Sequence, residues 1–87
     1  LTQNIMNIYV GSLDFKVKEQ QLEQAFAAYG DVTSVRIITD KVTRRSKGFA
    51  FVEMPNDADA QAAIEGLNGS TIGSRQVIVN ESRPKSN

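Results

Sequence analysis

Three aromatic side chains and a window of cations are the residues whose types and spacing could do chemistry. Phe49 and Phe51 stand two apart in Lys47-Gly48-Phe49-Ala50-Phe51-Val52-Glu53-Met54, and Tyr9 is the middle of Asn7-Ile8-Tyr9-Val10-Gly11. On strands these rings share one face, where they either fill a core or lie open to a ligand. From Arg36 to Lys47 the chain carries Arg36, Lys41, Arg44, Arg45 and Lys47 against Asp40 alone, a net charge of +4. Covalent chemistry has less to offer. The sequence holds no cysteine and no histidine, which excludes disulfides, the usual zinc sites and any catalytic set needing either residue. No nucleophile stands with a plausible base. Asp57 and Asp59, two apart on a helix, do not share a face and are better explained by the helix N-terminus. Gly11 and Gly48 belong to none of the spaced glycine patterns of nucleotide sites. A non-enzyme is expected, with no metal and no cofactor.

The elements that must position the rings follow from periodicity. Asn7 to Gly11 alternates as a strand, and Gly11-Ser12-Leu13-Asp14 breaks it. Leu22, Ala25, Phe26 and Tyr29 fall at helical spacing, predicting a helix from about Lys18 to Tyr29 that ends at Gly30. Lys18 stands where a capping residue is expected, at a cost on the order of 1 kcal/mol. Val32 to Thr39 is strand-like, with Val35 and Ile37 on one face and Ser34, Arg36 and Ile38 on the other. A polar loop, Asp40 to Ser46, leads into the strand Lys47 to Met54, and the two strands form a hairpin with a long connection. Pro55 stops that strand. Asn56 or Asp57 can cap a second helix carrying Ala60, Ala63, Ile64 and Leu67, with Gly66 and Asn68-Gly69 marking its end. A small loop precedes a last strand, Gln76 to Asn80, with Val77 and Val79 on one face and Ile78 and Asn80 on the other.

The order strand, helix, strand, strand, helix, strand makes two βαβ halves. Right-handed crossovers put both helices on one side of one sheet, and interleaving makes the first and third strands central neighbours. At 87 residues and 40% apolar composition, the chain is one folded domain of two layers. No residues remain for a third. The face carrying Tyr9, Phe49 and Phe51 is therefore expected to be covered by nothing but loops or the tail. Two aromatics on an arbitrary strand would be better read as core; the missing layer and the Lys-Gly prefix reverse that reading.

Lys47 to Met54 resembles the longer ribonucleoprotein motif of the RNA recognition motif family at every position but the last, where Met54 replaces an aromatic. Ile8-Tyr9-Val10-Gly11-Ser12-Leu13 resembles the family's shorter motif, and the element order agrees from about Asn7 to Glu81. The chain is similar to the small single-domain members found in bacteria, with one domain of a longer protein as the alternative. The resemblance implies an α+β, βαββαβ ferredoxin-like sandwich: a four-stranded antiparallel sheet with two helices packed on one face. It implies single-stranded RNA binding on the other face, with Tyr9 and Phe51 stacking on bases, Phe49 beside the sugars, and Asn7, Arg36, Ile38, Glu53 and Ile78 sharing the surface. Physical chemistry supports these roles, because every base has a π face and duplex bases are already stacked on one another. Lys47 can meet a phosphate, and Arg44 and Arg45 can steer the backbone. In this family residues after the last strand often contact a base, which makes Asn80, Glu81 and Ser82 candidates for selectivity, with Arg83 and Lys85 adding charge. The acidic second helix, with Asp57, Asp59 and Glu65, should leave the molecule polarised.

Residues 7–82 are thus the expected domain and 83–87 a polar tail. Residues 1–6 are read as an N-terminal extension, with Met6 the expected natural start and Leu1 to Ile5 preceding it. No run approaches the roughly 18 apolar residues of a membrane span and no signal-peptide pattern opens the chain, so a cytoplasmic monomer without a membrane partner is expected. Single-stranded DNA is an alternative ligand. A cold-shock domain also carries a Lys-Gly-Phe-x-Phe strand but is all β, against the two helical periods here. A protein-interaction module of the same fold is the alternative from a different class, although such relatives commonly lack the aromatics.

Overall fold

Alternation in the two aromatic strands decides the layering. A computed structural model of the chain describes residues 5–43 and 46–82, Ser46 and Lys47 by their backbone alone. Its elements are β1 (Met6–Gly11), α1 (Glu19–Ala27), β2 (Ser34–Thr39), β3 (Ser46–Met54), α2 (Asp57–Leu67), β4 (Thr71–Ile72), β5 (Arg75–Gln76) and β6 (Ile78–Glu81). The main sheet runs β2-β3-β1-β6, and all its neighbours are antiparallel. As expected, β1 and β3 are central. Their inward residues Ile8, Val10, Ala50, Val52 and Met54 are 0% exposed, as is Val79 of β6. They form one core with Leu22 and Phe26 of α1 and Ala60 and Ala63 of α2. α1 packs near β2, while α2 lies against β6, β1 and β3. The shortest dimension, 19 Å, is the depth of a sheet and one helical layer.

Local chemistry sets each boundary. Lysine has no acceptor, so Lys18 at the start of α1 offers no cap. Gln21 compensates in part, its Oε1 accepting from the Lys18 backbone N–H at 2.9 Å, which is the returning half of a capping box. Val17 and Leu22, both buried, occupy the staple positions around that first turn. α2 is capped by Asn56 rather than Asp57: its side chain accepts from Asp59 N–H at 3.0 Å. α2 continues through Gly66, against which the Tyr29 ring lies, so that glycine is a seat for a ring and the end comes at Asn68.

Several expected boundaries shift. The first strand starts at Met6, opposite Met54, and the third at Ser46. The stretch read as a small loop holds a second, two-stranded sheet, β4 with β5, turned at Gly73-Ser74. The last strand accordingly begins at Ile78 and includes Glu81. The outer edges of the main sheet are also occupied: Glu19 of α1 accepts from Ile37 N–H at 3.2 Å, and Asn68 accepts from Val79 N–H at 3.0 Å. Side chains at these two amides blunt edges that could otherwise recruit another strand.

Candidate nucleic-acid interface

Register across four strands assembles the open face in rows. In the end row Ser34 stands opposite Glu53 and Glu53 opposite Asn7, while Ser82 N–H donates to the Asn7 carbonyl at 2.7 Å. The central row is Arg36, Phe51, Tyr9 and Asn80. Gly11 and Ile78 pair in the next, with Phe49 and Ile38 two residues along their own strands from Phe51 and Arg36. Arg36, Asn80 and Ile78 are exposed; Tyr9, Phe49, Phe51, Asn7, Glu53, Ile38 and Ser82 are half-buried.

The rings form a nearly equilateral triangle. Their centroids lie 6.0 Å apart for Tyr9 and Phe49, 5.9 Å for Tyr9 and Phe51, and 6.0 Å for Phe49 and Phe51. Phe49 and Phe51 meet edge to face at 84°, and Tyr9 and Phe49 are tilted by 31°. These separations suit aromatic quadrupoles, so each ring braces the others. Lateral contact among the rings contributes to their partial burial, and no described element overlies them.

Two glycines shape this surface. A Cβ on Gly11 would lie 2.6 Å from the Tyr9 ring, so the ring lies down over Gly11 along its own strand. Gly48 has φ 88°, a conformation that costs glycine little. It falls where the pairing of β2 with β3 shifts between Ile37 and Thr39, a bulge just before Phe49.

Beside Phe51 the face is concave, a recess of about 370 Å³ lined by Asn7, Ser34, Arg36, Ile38, Phe51, Glu53 and Ser82. Within it Ser34 Oγ donates to Glu53 Oε1 at 2.7 Å. Ser34 was not among the sequence-derived candidates, although its alternation with Arg36 and Ile38 could have found it. Phe15 is a second omission, an aromatic 65% exposed whose ring lies beside Gly48; no periodicity marks it. Glu81 stands apart from the other candidates, because it pairs with buried Ile8 and alternation sends its side chain to the helical side. Arg44, Arg45, Arg83 and Lys85 lie outside the described residues, as does the side chain of Lys47. Lys41 is exposed, and Asp57 and Glu65 of α2 are exposed on the opposite layer.

At the far end of β1, Asp14 ties the small sheet down. Its carboxylate accepts from Ser74 Oγ, from Ser74 N–H at 3.0 Å and from Lys16 N–H at 2.9 Å. These bonds, the Ser74 hydroxyl first, hold the Asp14 carboxyl below the usual carboxylate range.

This arrangement has known counterparts. The sequence model described as RNA recognition motif matches residues 8–78. The chain belongs to the RNA recognition motif family. It is 48% identical over 80 residues to "Putative RNA-binding protein RbpF" of Nostoc sp., across 92% of this chain and 76% of the relative. Among solved structures it is similar to RNA binding protein PG1, with 46% identity and a TM-score of 0.87 over 94% of this chain and 99% of that one. The Sxl-lethal protein/RNA complex matches with 34% identity and a TM-score of 0.85, over 92% of this chain and 48% of that chain. Met54, the one position where β3 departs from the longer motif that it resembles, is 0% exposed on the helical side, so no aromatic is lost there from the open face.

Proposed function

We propose that this domain binds single-stranded RNA on the open face of its sheet and catalyses no reaction. Tyr9 and Phe51 stack on successive bases, Phe49 lies against the sugars, and basic side chains meet the phosphates. The observation that carries the reading is the triangle of half-buried rings on a face that no other described residue covers. With Tyr9 and Phe51 centred 5.9 Å apart, each ring offers one face to one base, which suits splayed bases rather than a duplex. Stacking of this kind contributes about 1–3 kcal/mol per base with little sequence demand. Arg36, opposite Phe51 and exposed, brings a cation to the same row. The names of the relatives, and the RNA in the Sxl-lethal complex, support RNA as the strand. A cytoplasmic monomer belongs to the same proposal, testable by cell fractionation and by sedimentation at increasing concentration.

The test is the double variant Phe49→Ala with Phe51→Ala, its fold checked by circular dichroism and its binding to short oligonucleotides measured by fluorescence anisotropy. Loss of most affinity with the fold intact is expected. A folded double variant binding as tightly as the parent would transfer the domain to the protein-interaction class.

A further inference from the structure

Glu53 is an unexpected charge on a surface that meets a polyanion. Among the described strand residues of the open face it is the lone acid, half-buried in the end row between Ser34 and Asn7. A carboxylate there repels phosphates, so the group that settles against it must be a donor. In RNA that is a ribose 2′-hydroxyl or a base edge, and only a base edge brings two parallel donors and a face for the adjoining Phe51 ring. We infer that the recess beside Phe51 is a base pocket selective for guanine, with Glu53 accepting from guanine N1–H and N2–H. This deepens the stacking reading above and rests on it.

The chemistry of the four bases makes the choice. An ionised carboxylate only accepts, and its two oxygens suit two parallel donors. Guanine presents two adjacent donors on its Watson–Crick edge. Adenine presents one amine between ring-nitrogen acceptors, cytosine one amine with an acceptor on one side, and uracil one N–H flanked by carbonyls, so none of them offers the carboxylate two parallel N–H donors from adjacent positions. Ser34 Oγ, donating to Glu53 Oε1 at 2.7 Å, occupies one lone pair and holds the carboxylate plane, leaving sites on both oxygens. Phe51, in the adjoining row, supplies the stacking surface. Arg36 in the same lining is a donor of the kind that suits guanine O6 and N7. About 370 Å³ of recess accommodates a purine. Ser34 is on this account a positioning residue, and Glu53 the selecting one.

The experiment uses heptauridylates with one central guanosine, inosine, adenosine or cytidine, binding measured by anisotropy. Inosine keeps N1–H but lacks the N2 amine, so it isolates the second donor. The full chain should prefer guanosine over inosine by about tenfold, at the lower end for a bidentate contact. Glu53→Gln, nearly isosteric, should abolish that preference and raise adenosine, because an amide presents one acceptor beside one donor. Ser34→Ala should shrink the preference while keeping its order. Equal binding of guanosine and inosine by the parent chain, or a preference unchanged in folded Glu53→Gln, overturns the inference; in either case continued dependence on Phe51 leaves the stacking proposal standing. Failure of the folded parent chain to bind any of the four overturns both.

Discussion

The two faces of the β1–β3 pair are built from alternating residues of the same strands, and both are apolar. One carries Ile8, Val10, Ala50, Val52 and Met54, each 0% exposed; the other carries Tyr9, Phe49 and Phe51, each half-buried. Hydrophobicity does not separate them, since the outer set is the more aromatic. Coverage does. The helices bury aliphatic side chains of varied shape, each contributing about 1.5–3 kcal/mol when fully removed from water. The outer rings forgo part of that gain and recover some through one another, at centroid separations near 6 Å. What distinguishes the proposed binding face from the core face is ring shape and the polar company of Asn7, Arg36, Glu53 and Asn80, with no described element laid over them.

The contrast can be broken most directly by exchanging where the damage is done. Ile8→Ala should cost about 2–5 kcal/mol of stability in urea unfolding, as buried isoleucine truncations do, with affinity little changed in the protein that remains folded. Phe49→Ala with Phe51→Ala should do the reverse, removing about 1–3 kcal/mol of binding for each stacked base lost while moving the unfolding midpoint far less. Equal stability losses for the two would erase the distinction between the faces. Arg44→Ala with Arg45→Ala should weaken binding to all sequences alike and reduce the slope of log K against log salt by about 1.4, at roughly 0.7 per phosphate contact on a single strand; an unchanged slope removes the loop from the interface. Gly11→Ala sharpens the comparison within one strand. The new Cβ must push the Tyr9 ring aside, so affinity should fall a few-fold while stability changes by less than about 1 kcal/mol.

The smallest effect concerns the Asp14 anchor, which serves neither face. Its carboxyl titrates lower in the folded chain than in the unfolded one, through Ser74 first and then Lys16. The stabilisation is therefore complete above the ordinary aspartate value and is lost as pH falls through the lowered one. Asp14→Asn should flatten that acid limb of a stability–pH curve; a limb unchanged by the substitution would show that other carboxylates carry it.

Much of the layout was legible because it depends on period. Leu22 and Phe26, and Ala60 and Ala63, each announce a buried side and occupy it, and the alternation through Phe49 to Met54 sorts rings from aliphatics, of which Ala50, Val52 and Met54 are the buried set. The β4–β5 hairpin escaped because two-residue strands are too short for a period; Gly73-Ser74 was the available signal. Gln21 as the partial cap of α1 escaped because attention falls on the capping position, not three residues into the helix. Ser34 was placed on the correct side of its strand, yet nothing in the chain says that it meets Glu53, 19 residues away.

By itself the sequence determined the two helices, the four strands of the main sheet and the presence of three rings on one surface, because periodicity and alternation are local properties of the chain. Only the tertiary structure decided that the rings form a triangle, that Tyr9 lies down over Gly11, and that Ser34, Glu53 and Asn7 line up beside a recess. Those are matters of register between strands distant in sequence. Register is set by hydrogen bonds and core packing across the whole sheet, which no single stretch of residues encodes.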